Sequence, residues 1–241
     1  MGKAEAERSF LLDGDPPVEV LVRRSARARR LSLRVSALDG RVTLTLPRRA
    51  EVGEALAFAR SRAGWIREHL ARQPEPVHVR PGVRLPLAGG MVTIATGPVR
   101  ALRLRGDSLV IPEHRAGQAA AVVRGWLKGR ARDALATACD RHATALGRGY
   151  GRLTLRDTRS RWGSCSAEGN LMFSWRLIMA PPEVLDYVAA HEVAHLVEMN
   201  HSPAFWALVE KLFPAHRAAR RWLREHGTGL HRYRFDGGCE D

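Results

Sequence analysis

Lysine is nearly missing from this chain of 241 residues: there are three, against 36 arginines. The formal net charge of +14 would draw nucleotides, nucleic acid or acidic surfaces. A skew this strong toward arginine is also what codon usage in a GC-rich genome produces without selection for binding, so both readings stand. Cysteine is scarce too. Cys139, Cys165 and Cys239 are odd in number and far apart, which excludes a disulfide framework and fits a reducing compartment, here expected to be the cytoplasm. No apolar run approaches the ~18 residues of a membrane span, so no membrane association is expected. The opening MGKAEAERSF lacks the apolar stretch of a secretory signal, and Ala6 argues against a myristoylation signal. The phosphate-cradling pattern G-x-x-x-x-G-K-[ST] is absent, as are internal repeats and low-complexity linkers.

What is present is a 45% apolar chain able to form a sizeable core. From Val18 to Pro47 apolar residues alternate with basic ones, break at Leu38-Asp39-Gly40 and resume, which reads as a β-hairpin with one buried face. Its other face carries Arg23, Arg24, Arg27, Arg29, Arg30 and Arg34, either a solvated strand face or a polyanion-binding strip. Residues 51–72 have helical spacing, with Trp65 expected in the core. A second β-rich stretch follows from Val83 to Ile111 between Gly-Gly, Gly-Pro and Gly-Asp turns. Residues 114–147 read as one long helix, whose Gly125 and Gly129 suggest a close helix contact or a slight bend, with Cys139 as buried filler. Strands are expected from Leu153 to Thr158 and from Asn170 to Ala180, a helix from Pro182, another over 202–226 bent at Pro214, and a loose tail over 231–241. The expected fold class is α+β: an N-terminal β-rich α+β region over residues 1–112, then a mainly helical domain over 113–241 with a small antiparallel sheet.

The stretch that carries chemistry is His191-Glu192-Val193-Ala194-His195, with His201 six residues on. Residues four apart on a helix differ by about 40° around its axis, so both imidazoles reach one ion from one face while Glu192 sits beside it. A helix continuing through His201 would carry that side chain roughly 9 Å too far, so a third ligand requires a chain reversal. Asn200 can adopt the left-handed conformation that ends a helix, Ser202 can cap the next, and Pro203 suits its first turn. Neutral imidazoles, an open position for water and a carboxylate that takes its proton make up the arrangement of a zinc hydrolase.

Arg161-Trp162-Gly163-Ser164-Cys165-Ser166, a tryptophan-containing strand, the run PPEVLDYVAAHEVAHL and NHSPAFW together resemble the YgjP-like metallopeptidase-type proteins. These are similar to the wider zincin group, which includes SprT-type and WLM proteases. The resemblance is strong over about 70 residues and, in element order, covers most of the chain. It implies a zincin-like fold for residues 113–241, one Zn²⁺ per chain on His191, His195 and His201, a catalytic Glu192, and a signature from Arg161 to Cys165 packed near the site. The ligand spacing equals that of metzincins, but Glu198 stands where their glycine falls, so the turn must be made differently.

The leading expectation is a zinc-dependent metallopeptidase acting on peptide or unfolded protein, with Glu192 as general base. The alternatives are a metal-dependent nucleotide phosphohydrolase on the same site, or a basic nucleic-acid-associated module with a structural metal. Arg161, Arg176 and Tyr187 are candidate substrate or oxyanion contacts, each with an ordinary alternative as salt bridge, solvated strand residue or core tyrosine. Glu198 is either a carboxylate orienting His201 or a solvated charge. The strand Leu171 to Leu177 is either an edge that holds an extended substrate or a core strand. Cys165 is expected to be structural rather than a ligand.

Overall fold

The computed structural model describes residues 8–36, 40–72 and 75–236. The contacts group the chain into two compact units, residues 1–75 and 76–241. Among the described residues no helix is long and apolar enough to cross a membrane.

The first unit is a four-stranded sheet backed by two short helices: β1 (Arg8–Leu12), β2 (Val18–Ser25), β3 (Ser32–Val35), β4 (Val42–Pro47), α1 (Val52–Ser61) and α2 (Ala63–Ala71). The strand order is β1-β2-β4-β3, with β2 parallel to β4 and the outer pairs antiparallel. The period-two alternation is fulfilled, since Val20, Val42, Leu44 and Leu46 are buried against Ala55, Ala59 and Ile66. The expected hairpin is the β3/β4 pair alone, closed by Ser36 N–H on Arg41 C=O; Leu38 and Asp39 of the expected turn lie outside the described residues. Arg23, Arg27, Arg29, Arg30 and Arg34 are exposed, while Arg24 turns in to donate to the carbonyls of Arg48 and Ala50. The expected single helix over 51–72 breaks at Arg62. Trp65 is 38% exposed, with its ring against His69 rather than in the core.

In the second unit, β5 (Val77–His78) precedes β6 (Arg84–Leu87), β7 (Gly90–Gly97), β8 (Arg103–Arg105) and β9 (Ser108–Pro112). The order β6-β7-β9-β8, parallel only at β7/β9, repeats the pairing scheme of the first sheet, a recurrence the residue pattern does not disclose. This sheet buries Leu85, Ile94, Leu109 and Ile111 in the same core as Val123, Leu127 and Leu135 of α3 (Ala119–Ala145). The boundary therefore falls near residue 75, whereas the sequence reading places it at 112. Gly125 and Gly129 of α3 are exposed with nothing packed where a Cβ would stand, so no close helix contact explains them.

Beyond α3 come β10 (Leu153–Arg156), β11 (Gly163–Cys165), β12 (Leu171–Ser174), a 3-10 segment (Trp175–Met179), α4 (Pro182–Ala194), α5 (Pro203–Leu212), α6 (His216–His226), a second 3-10 segment (Gly227–Arg232) and β13 (Tyr233–Arg234). The small sheet is mixed rather than antiparallel: β12 lies between β10, which it parallels, and β11, which it opposes. The expected strand to Ala180 stops at Ser174, and the last helical stretch is two helices separated around Pro214. Of the expected loose tail, residues 231–236 are ordered, and 237–241 lie outside the described residues. β13 pairs with β5, Leu230, Tyr233 and Phe235 are buried, and Phe235 meets Trp175 edge-on at 5.1 Å. The architecture is α+β, with the mainly helical part following the β-rich part.

Candidate metal centre

Pro182 opens α4 at a position where its missing N–H costs nothing. The helix buries Val184, Leu185, Val188 and Ala189 in the core and delivers His191 and Glu192 in its last turn, with His195 at the cap. It then tightens. Leu196 N–H bonds to Val193 C=O and Val197 N–H to Ala194 C=O, the i→i+3 pattern of 3-10 turns. Ser202 accepts from Phe205 N–H at 3.2 Å and Pro203 starts α5, as the residues predict. Asn200 does not take the expected left-handed conformation; among the described residues Ala88 is the non-glycine that does. The reversal is built from the 3-10 turns and the Ser202 cap. It sets His201 Nε2 3.1 Å from His191 Nε2, and one nitrogen from each of the three histidines lies within 4.8 Å of the others.

The donors suit a metal ion. His195 Nδ1 is 2.9 Å from the Glu198 carbonyl. A carbonyl only accepts, so Nδ1 carries the proton and the lone pair sits on Nε2, as a ligand requires. Burial, then the charges of His195, His201 and Arg220, push His191 down to about 3, so its ring is neutral. Burial also lowers His195, against the opposing bond from Glu198. Tetrahedral zinc with Zn–N of ~2.0–2.1 Å places two ligand nitrogens roughly 3.3 Å apart, close to the His191/His201 separation. The ring of Phe205 backs all three imidazoles at 4.9, 4.5 and 4.8 Å, and Trp206 flanks His191 and His201 at 5.8 and 6.0 Å. Three imidazole nitrogens on an apolar wall fit zinc.

Glu192 is 6% exposed and lies flat against β11. A Cβ on Gly163 would meet its Cγ and Oε1 at 2.6 Å, so only glycine leaves room for the carboxylate. Burial pushes that carboxyl up to about 8, with the nearby Arg161 charge opposing. β11 forms an edge of its sheet. Of the two readings of Leu171 to Leu177, the core strand holds for Leu171–Ser174: β12 is central and hydrogen-bonded on both sides, and a 3-10 segment follows it.

Of the remaining candidates, Arg161 is exposed and its charge opposes the rise of Glu192, and Tyr187 is buried one turn before His191 with the two rings edge to face at 5.9 Å. Arg176 is committed elsewhere: it forks onto Asp157 at 2.7 and 3.1 Å and donates to the carbonyls of Leu230 and Tyr233, clamping the C-terminal strand. Glu198 contributes its backbone carbonyl, to His195, a role distinct from both sequence readings, a carboxylate orienting His201 or a solvated charge. Cys165 is half-buried, pushed up to about 11 by burial and the Glu192 charge, and lies outside the histidine cluster. Gly163, Phe205 and Arg220 are the neighbours sequence reasoning missed. Gly163 was visible only as part of the RWGSCS signature, and no spacing rule marks Arg220.

A family model described as YgjP-like, metallopeptidase domain, matches residues 29–226. Among solved structures, the crystal structure of the metallopeptidase zymogen of Pyrococcus abyssi abylysin is similar at 25% identity and a TM-score of 0.35, over 41% of this chain and 97% of that one. Comparison with curated proteins gave no match.

Proposed function

The chain belongs to the YgjP-like metallopeptidase family, and on that premise we propose that it is a zinc-dependent peptidase with His191, His195 and His201 as metal ligands and Glu192 as general base. The observation that carries this reading is the convergence of three imidazole nitrogens within 4.8 Å beside a buried carboxylate seated on Gly163. When bound, zinc supplies a Lewis acid that lets water lose a proton near neutral pH.

The chain's own groups do the rest. His195 is held in its ligating tautomer by Glu198 C=O, and Phe205 keeps one side of the site dry. Glu192, with its proton affinity raised by burial, takes the proton of the attacking water and returns it to the leaving nitrogen. Arg161, two residues before β11 and with its charge acting on Glu192, is the candidate for stabilising negative charge on the attacked carbonyl oxygen. The outer edge of β11 offers main-chain groups to an extended peptide or an unfolded protein segment. The phosphohydrolase and nucleic-acid readings rest on net charge and are not adopted.

The test is digestion of casein and a mixed peptide library by zinc-loaded protein. Cleavage abolished by chelator, restored by zinc and lost in Glu192→Gln supports the proposal. Intact substrates with full zinc loading overturn it.

A further inference from the structure

Trp206, on α5 beside His191 and His201, carries a cation. The guanidinium carbon of Arg220, from α6, sits 4.8 Å from the ring centroid of Trp206. Arg220 is exposed, and among the described residues no carboxylate lies within ion-pair distance of it. Trp206 itself lies 5.8 and 6.0 Å from the rings of His191 and His201, so one indole separates Arg220 from the centre. Arg176, by contrast, has its guanidinium fully engaged with protein acceptors.

Stacking on an indole fixes the plane of a guanidinium while leaving its in-plane N–H donors free, the geometry that takes a carboxylate by two parallel bonds. Arg217, Arg221 and Arg224 are also exposed. With Arg220 they follow the i, i+3, i+4, i+7 spacing that shares one helix face, so one face of α6 is positively charged.

We propose that Arg220 is a specificity-determining residue that binds a carboxylate of the substrate, making peptides with an acidic group beside the cleaved bond the preferred class. This rests on the peptidase reading of the same site. The carboxylate belongs either to a Glu or Asp side chain or to a free C-terminus, two sources of one chemistry.

The test is binding rather than turnover. Zinc-loaded Glu192→Gln protein is titrated with fluorescent peptides that differ only as Glu or Gln at one position, each with a free and an amidated C-terminus. The carboxylate form is expected to bind about tenfold tighter. Preference that follows the side chain or the terminus identifies the source. Adding Arg220→Ala is expected to equalise the peptides, and Arg220→Glu to favour a Lys peptide. Equal binding of charged and neutral peptides in the parent, or a preference that survives Arg220→Ala, overturns the proposal. Failure of wild-type protein to cut any peptide would sink the peptidase reading instead, while the binding arms would still decide the role of Arg220.

Discussion

Gly163→Ala is the sharpest probe of how the fold positions Glu192. The added methyl would stand 2.6 Å from Cγ and Oε1 of Glu192 and 2.8 Å from Cδ, where ordinary contacts begin at 3.4 Å. Either the carboxylate or β11 must therefore move by about 1 Å. Overpacking of this kind costs about 1–3 kcal/mol, which in a unit of this size lowers Tm by about 2–12 °C. The catalytic effect should be larger, because a misplacement of about 1 Å can cost ~10²-fold in rate. The histidines sit on α4 and in the turn after it, away from the new methyl, so zinc content should stay near that of the wild type. Three assays separate these effects: metal content, thermal melting and kcat/KM on a cleaved peptide. The double variant Gly163→Ala/Glu192→Gln should be no slower than Glu192→Gln alone, since both act on one group. Near-normal kcat/KM in Gly163→Ala, or a further large loss in the double variant, would refute the reasoning.

Other outcomes follow from the same structure. Ser202→Ala removes the cap on Phe205 N–H and should cost about 1 kcal/mol while weakening zinc affinity several-fold, read by thermal shift and by competition with a chelating dye. His231 is buried beside Trp162 and held down at about 4 by burial, then by Arg176. Its folded value lies below the unfolded ~6.5, so the stability it contributes is present above that value and is lost as pH falls toward 4. Denaturant titrations between pH 7 and 4 should therefore show a shallower decline in His231→Phe than in wild type. Burial would raise the Asp157 carboxyl, but the Arg176 hydrogen bond and charge prevail and hold it low. Its stabilisation persists to more acidic pH, and Asp157→Asn should flatten the curve below pH ~4. Cys139 and Cys165, pushed up to about 12 and 11 chiefly by burial, should resist thiol reagents at pH 8 until denaturant is added.

What was readable in the sequence follows from how local each feature is. Helical periodicity fixes the angle between His191 and His195, and a Ser-Pro start fixes a helix entry, so the convergence of three imidazole nitrogens was foreseeable from the residues alone. The means of reversal was not. Successive i→i+3 bonds after Ala194 leave no residue signature, whereas Asn200 advertised a left-handed conformation that it does not adopt. Alternation says which strand face is buried but not which strand is the neighbour, so both parallel central pairs and the central place of β12 escaped notice. The C-terminal strand is two residues long and held by Arg176 and, through the neighbouring Phe235, by Trp175 from far along the chain, which no local pattern encodes. Gly163 and Arg220 belong to the same class, because their partners Glu192 and Trp206 lie on other elements.

The central claim is that three histidines hold a catalytic zinc ion. The most direct test is metal content by plasma mass spectrometry of wild type and His201→Ala, both made without a polyhistidine tag and loaded with zinc side by side. About one zinc per chain in the wild type, and less than about a tenth of that in the variant, is the predicted result. A wild type that takes up no zinc, or a variant that holds as much as the wild type, would contradict it.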